Sequence, residues 1–349
     1  MSELRVTVVK IDDIIEHTNA DALELAIIGG WQIVIKKDIF KVGDEVVYFP
    51  LDCILPVPLS YHLEITQYLS NGRVRAARLR GESSFGTIAP VVVIRDYLRS
   101  VEGNCDALEL IDFMDSDTEE IALADILGVE KWEPPCNSQN EDTPHSLFEK
   151  YTNIDNMRNF TNIIEDGEDV VITEKIHGSN ARFGCVENEF MVGSHNIRLQ
   201  EDKNNKYWSV FSNDMKTMLN EFCLSGEPVI LYGELYGSGV QDLAYGMKHN
   251  QKGIRVFDLK VKGNYVDYDT LDKLCEGHNI KLAPVLYRGP FSMEKVLEFS
   301  KAKSTLGGNI MEGVVIRPVK ERHHRRIGRV ILKYVFDQYL LRKGGTENH

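Results

Sequence analysis

No apolar run in this chain of 349 residues approaches the roughly 20 residues needed to cross a bilayer. Its first residues, Met1-Ser-Glu-Leu-Arg-Val, also lack the basic and then apolar layout of a signal peptide. A membrane partner is therefore not expected, and a cytoplasmic location is. There is no C-x-x-C pair either: the six cysteines, Cys53, Cys105, Cys136, Cys185, Cys223 and Cys275, lie far apart. That spacing argues against zinc or a redox dithiol and predicts reduced, mostly structural thiols. Positive charge is scarce, with 40 Lys and Arg against 53 Asp and Glu and a formal net charge of -13. The shortage excludes a generally basic surface, but phosphate recognition needs only local clusters. Two exist, Arg73-Val-Arg-Ala-Ala-Arg78-Leu-Arg80 and Lys320-Glu-Arg322-His-His-Arg325-Arg326-Ile-Gly-Arg329.

What is present is the composition of a folded protein, 43% hydrophobic and 27% charged, in a chain long enough for two domains. From Arg5 to about Asp96 short apolar runs (Val6-Thr-Val-Val9, Trp31-Gln-Ile-Val-Ile35, Glu45-Val-Val-Tyr-Phe49, Ile88-Ala-Pro-Val-Val-Val-Ile94) alternate with turn signals such as Gly29-Gly30 and Asn71-Gly72. This pattern predicts a small OB-like β-barrel. Ser116-Asp-Thr-Glu119 reads as a capping box opening a short helix through Ile126. The stretch from Trp132 to Thr143, with Pro134-Pro135 and a polar run, has linker composition. The expected division is 1–131 for a nucleic-acid-binding barrel, 132–143 for a linker and 144–349 for an α+β domain. In the last part, strand-like runs at Val170, Val229, Ile254, Val314 and Val330 alternate with helical periodicity over Val210 to Phe222, Tyr268 to Glu276 and Met293 to Phe299.

The chemistry centres on Glu174-Lys175-Ile-His177-Gly178-Ser-Asn180, which follows an apolar strand. Alone it means little. With Lys at roughly 6% and Gly at roughly 7% of residues, a Lys followed three positions later by Gly arises about once by chance in such a chain. Four more strand-linked signatures follow in order: Tyr232-Gly-Glu234-Leu-Tyr-Gly237, Val256-Phe257-Asp258-Leu259, Glu312-Gly313-Val-Val-Ile316 and Val330-Ile-Leu-Lys333.

The ordered set resembles the covalent nucleotidyltransferases, which comprise DNA ligases, RNA ligases and mRNA capping enzymes. The resemblance runs from about Thr152 to Lys333. It implies that Lys175 attacks the α-phosphorus of a nucleotide, and the chemistry agrees. An amine is nucleophilic only when neutral, so its usual pKa of about 10.4 must fall in the site. Gly178 lets the backbone approach the nucleotide. Glu312 offers hard oxygen to magnesium or manganese, and Lys333 offers positive charge to the α-phosphate. The resemblance further implies nucleotide-binding roles for Glu174, His177 and Glu234, the last at the ribose hydroxyls. It implies a stacking role on adenine for Phe257, worth about 1–3 kcal/mol when an aromatic meets a base. Asn180 would grip the 5′-phosphate of the donor strand, and Arg158 would reach the triphosphate.

Two features depart from the pattern. Many relatives carry Asp where His177 stands, although some phage-type RNA ligases have Lys-x-His-Gly. Ile331 occupies the place of a second lysine, with Arg329 as a candidate substitute. Among Gly193-Ser-His195-Asn196-Ile-Arg198, the counterpart of a further Ser-Arg element is left open. The barrel precedes the nucleotidyltransferase signatures, as it does in nick-sealing RNA ligases with an N-terminal OB domain. The expected activity is thus ATP-dependent RNA ligation of 3′-hydroxyl/5′-phosphate breaks in nicked duplexes by a monomer, through lysyl-AMP and an AMP-capped 5′-phosphate. A GTP-using capping-type guanylyltransferase and a non-catalytic RNA-binding protein are the alternatives. The modular layout further predicts that removing residues before about Lys131 spares adduct formation and weakens sealing.

Overall fold

A computed structural model describes residues 4–101, 123–133, 141–224 and 226–347. Thr7–Lys10, Glu45–Phe49 and Thr87–Pro90 form one three-stranded antiparallel sheet, and Asp13–Glu16, Leu23–Ile28 and Trp31–Lys36 form a second. In Trp31–Lys36 every other side chain is buried, the period-two signature of a strand with one face inward. Trp31, Ile33 and Ile35 thereby join Tyr48 and Phe85 in the barrel's core.

The run Ile88 to Ile94 does not continue as a strand. It stops at Pro90, and Val91–Ser100 is a helix. Proline has no N–H to extend a ladder, and the helix buries Ile94 and Leu98 against Val47 and Leu59. Tertiary burial thus overrides the strand preference of three valines. The proposed capping residues Ser116 to Glu119 lie outside the described residues, while Leu123–Leu127 is helical.

The C-terminal part holds two sheets. A five-stranded sheet runs in the order 155–156, 332–335, 313–318, 169–175 and 285–290. A six-stranded sheet runs in the order 198–199, 189–194, 179–186, 229–237, 252–261 and 264–265. All pairs are antiparallel except Asp155–Asn156 against Leu332–Lys333. The helix Asn213–Cys223 begins where the Ser212 hydroxyl accepts the Met215 N–H at 3.2 Å. It lays Met215, Met218 and Leu219 on Phe183 and Leu231. Its last residue, Cys223, forms a disulfide with Cys185 of the underlying strand, which corrects the expectation of reduced thiols for this pair. A separation of 38 residues carries no pairing signal; the packing of helix on sheet creates it. Cys53 and Cys275 are free and buried. Among the described residues no helix is long and apolar enough to cross a membrane.

The two parts share a core. Val335, Tyr339 and Leu340 are buried in the same cluster as Ile11, Trp31, Ile33, Tyr48 and Phe85. The Arg158 guanidinium pins the junction: it lies 4.8 Å from the Trp31 ring centre and 4.5 Å from that of Tyr334. It also donates to the Gly30 and Val335 carbonyls at 3.3 Å and to the Asp337 carboxylate. Both described ends of the 132–143 stretch are anchored. Trp132 lies under the Arg73 guanidinium at 3.4 Å, and the Asp142 N–H donates to the Arg198 carbonyl at 2.9 Å.

Candidate active site

The strand Asp169–Lys175 is hydrogen-bonded on both sides, to Val285–Pro290 and to Gly313–Pro318, and Lys175 stands opposite Gly313. Three residues, Ile176 to Gly178, then carry the chain into Ser179–Val186 of the six-stranded sheet. Lys175 therefore sits where the chain crosses from one sheet to the other. The crossing is tight. A Cβ on Gly178 would lie 2.2 Å from the Leu235 carbonyl oxygen, and one on Gly313 would lie 2.1 Å from that of Tyr334. Both contacts are with backbone, which cannot swing aside, so only glycine fits.

Carboxylates converge on the lysine from both sheets. Lys175 Nζ is 2.5 Å from Glu312 Oε1, with the two side chains 12% and 0% exposed. Glu234 reaches in from the facing sheet, where it pairs with Asn180 and accepts the Gly178 N–H. Burial pushes the Lys175 amine down, but the Glu312 and Glu234 carboxylates outweigh it and hold the amine above its ordinary value. Attack on phosphorus needs the opposite, a neutral amine. In this state Lys175 is an ammonium. Burial raises Glu234 to about 8, with Lys175 opposing and Glu312 reinforcing the shift.

His177 is 1% exposed and engaged at both ring nitrogens. Nε2 lies 2.6 Å from Asp242 Oδ1, and Nδ1 lies 2.8 Å from Tyr339 Oη and 3.5 Å from Glu312 Oε2. Its backbone N–H donates to Tyr245 Oη at 2.6 Å. Lys333, buried in the strand beside Gly313–Pro318, donates to the Glu347 carbonyl at 2.5 Å and pairs with Glu347 Oε1 at 3.0 Å. Glu347 is in turn held by the barrel, since its N–H and the Thr346 hydroxyl both donate to Asp52 Oδ2 at 2.6 Å.

The remaining candidates fall at different distances from this centre. Asn180 lines the same face as Glu234, and its buried Oδ1 has no partner among the described residues. Phe257 is half-buried, packed on Tyr151 at 4.9 Å and against the cluster that contains Ile176. The Glu174 carboxylate accepts the Thr305 N–H at 3.0 Å and the Ser304 and Thr305 hydroxyls, so its side chain fastens the 304–306 loop. Arg158 is not brought to this group, because its guanidinium is spent at the junction with the barrel. Arg329 does not replace a second lysine. It lies 2.6 Å from Asp258 and 2.7 Å from Glu321, inside a buried cluster with Arg317 that braces the two sheets. Ile331 is buried. Arg198 pairs with Glu189 at 2.8 Å and Asp142 at 3.2 Å.

The two basic stretches are only partly available to a partner. Arg73 is bound to Asp52, and Arg322 to Glu168, but Arg78, Arg80, Arg325 and Arg326 are exposed. The residues that sequence reasoning missed are Asp52, Asp242, Tyr245, Tyr339, Arg342 and Glu347. None sits in a motif, and each reaches the site only through the tertiary fold.

Residues 168–335 match the RNA ligase family, and residues 5–91 match an OB-fold domain family. No curated protein matches the chain. Among solved structures, the Naegleria gruberi RNA ligase with PPi is 24% identical, with a TM-score of 0.76 over 97% of this chain and 98% of that one. A mutant of that ligase with ATP and Mn is 23% identical, with a TM-score of 0.76 over 96% of this chain and 98% of that one. A further mutant with AMP and Mn is 23% identical, with a TM-score of 0.77 over 97% and 98%.

Proposed function

We propose that the chain seals 3′-hydroxyl/5′-phosphate breaks in nicked RNA duplexes at the expense of ATP, a reading supported by the match of residues 168–335 to the RNA ligase family, by the OB-fold match of residues 5–91, and by a fold similar to that of the Naegleria ligase. The observation that carries this reading is the Lys175–Glu312 pair at the crossing of two sheets, faced by Glu234.

The Lys175 Nζ lone pair forms a P–N bond to the α-phosphorus of ATP as the bond to pyrophosphate breaks. The Lys175 ammonium, held in that state by Glu312 Oε1 2.5 Å away, gives its proton to solvent as incoming positive charge loosens that hold. An oxygen of the RNA 5′-phosphate then displaces Lys175 from the adenylate, with Asn180 aimed at that phosphate. Finally the 3′-hydroxyl attacks the capped 5′-phosphate and AMP leaves, a step governed by alignment on the duplex. Lys333 reaches the α-phosphate once Glu347 yields its place. Phe257 stacks on the adenine, and Glu234 holds the ribose hydroxyls. Arg158 has no part in these steps.

A divalent cation fits the donor set, because the buried Glu312 carboxylate offers hard oxygen and Glu234 adds a second carboxylate once it is ionised. Among the described residues no cluster of three side-chain ligands exists, so most of the cation's ligands would be water and phosphate oxygens, as magnesium prefers. When bound, magnesium or manganese neutralises the α-phosphate and competes with Lys175 for Glu312.

Incubation with labelled ATP or GTP followed by a denaturing gel tests the reading. Label from ATP is expected. Label from GTP alone would point to capping, and no label with either nucleotide would leave only an RNA-binding role. Nicked duplexes with ribose or deoxyribose at each end then test the substrate, with sealing of the RNA nick expected. The pH profile is a further test. Glu234 is a neutral acid below about 8 and a carboxylate above it. Only the carboxylate accepts from both ribose hydroxyls, so kcat/KM for labelling, which reports groups of the free enzyme, rises as pH passes that value. Glu234→Gln should flatten this step while lowering the rate at every pH.

A further inference from the structure

Asp242 belongs to the turn that follows the strand Val229–Gly237, far in sequence from every signature motif. Its side chain is 53% exposed, yet its carboxylate is used inward. Oδ1 lies 2.6 Å from His177 Nε2 and accepts from Arg342 Nη2 at 3.3 Å, and Oδ2 accepts from Arg342 Nη1 at 2.5 Å. The Arg342 guanidinium in turn covers the Tyr339 ring at 4.3 Å. On the other edge of the His177 ring, Tyr339 Oη and Glu312 Oε2 share Nδ1. A continuous chain of polar contacts therefore runs from solvent to the nucleophile: Asp242, His177, Glu312, Lys175.

An imidazole held at one nitrogen only can tilt or flip about its ring axis; one held at both has a single orientation. We infer that Asp242 is a positioning residue for nucleotidyl transfer, which fixes the His177 ring so that its Nδ1 edge, with Tyr339, holds the Glu312 carboxylate against Lys175. Groups that hold a metal ligand in its orientation change metal affinity or activity, typically by about 10–100-fold when removed. The arrangement also explains why a histidine serves at position 177. The side chain is too enclosed to meet solvent, and it links an outer acid to an inner one. This inference rests on the ligase reading of the same site.

The competing role for Asp242 is a plain clasp, in which its pairing with Arg342 ties the 238–251 turn to the C-terminal segment. Three variants separate the two roles: Asp242→Ala, Asp242→Asn and Arg342→Met. Arg342 Nη2 also lies 3.4 Å from His177 Nε2, so in the metal-free and nucleotide-free protein the ring ¹⁵N resonances of His177 should shift in Asp242→Ala by clearly more than in Arg342→Met. In labelling with ATP, the magnesium concentration for half-maximal rate should rise about 10–100-fold in Asp242→Ala, with the rate at saturating magnesium within a few-fold of wild type. Asp242→Asn keeps an acceptor of the same shape and should recover most of the effect. Unshifted His177 resonances in Asp242→Ala overturn the inference. So does an unchanged magnesium requirement, and so does Arg342→Met reproducing the whole effect. A wild-type protein that takes no label overturns the ligase reading and this inference with it, whereas a labelled wild type beside an unaltered Asp242→Ala overturns the inference alone.

Discussion

Lys175→Ala is expected to take no label from ATP and, in the same protein, to melt on the order of 10 °C lower than wild type. The first effect follows from chemistry, since Lys175 is the amine that lies at the crossing of the two sheets, 2.5 Å from Glu312. The second follows from burial. Glu312 is 0% exposed, and the lysine 2.5 Å away is its nearest counter-charge. Removing one partner of such a pair costs about 3–5 kcal/mol, because the other charge stays behind in a poor solvent. Loss of label in the single variant is therefore not, by itself, proof of a nucleophile. A second variant combining Lys175→Met with Glu312→Gln removes both charges and keeps their volume. It should regain most of the melting temperature and still take no label. Thermal unfolding followed beside the denaturing gel decides the matter: a labelled Lys175→Ala protein moves the nucleophile elsewhere, and an unlabelled, fully stable double variant isolates the chemistry from the fold.

The positions that converge on Lys175 were legible because strands impose them. Gly313 opposite Lys175, Glu312 just before it, and Lys333 in the neighbouring strand all follow once three apolar runs lie in one sheet. Glu234 opposite Asn180 follows likewise in the other. Short motifs attached to strands are informative because a ladder fixes register to the residue. Arg158 shows the limit of that logic. Its distance in sequence from Lys175 suggested reach to the triphosphate, but the site it occupies is lined by Trp31 and Phe85, residues of the other half of the chain. Nothing in its local sequence records them. Arg329 fails as a second phosphate ligand for the same reason, since Asp258 and Glu321 claim it from outside its own strand.

The charge state of the lysine was also not legible. A neutral amine is what the reaction needs, and a buried strand end is where one would be sought. Yet burial loses to two carboxylates that only the folded site brings together. The fold thus holds the Lys175 amine protonated and Lys333 on Glu347. On the proposed reading both would be released together, since a bound cation would compete for Glu312 and triphosphate oxygens would compete with Glu347 for Lys333.

Deleting residues 1–131 is expected to abolish adduct formation, and not merely the sealing that follows it. Composition pointed the other way, because a polar, proline-containing stretch over 132–143 reads as a loose connection between independent units. The packing is not loose. Val335, Tyr339 and Leu340 are 0%, 0% and 3% exposed, and they are buried in one cluster with Ile11, Trp31, Ile33 and Phe85. Without the barrel these three side chains face water, at roughly 1.5–3 kcal/mol each for the aliphatic ones, against a total stability of only about 5–15 kcal/mol for a typical protein. Arg158 would lose the ring of Trp31 and the Gly30 carbonyl, while its pairing with Asp337 would be opened to solvent. The damage runs directly into the site. Tyr339 is hydrogen-bonded to His177, and the segment that follows it carries Glu347, whose anchor is Asp52 of the barrel. A fragment spanning 132–349 should therefore be poorly soluble or take less than about a hundredth of the wild-type label, a factor that corresponds to roughly 2.7 kcal/mol. Labelling at the wild-type rate by a monomeric, well-folded fragment would show that the shared core serves only to hold RNA, and would restore the modular reading.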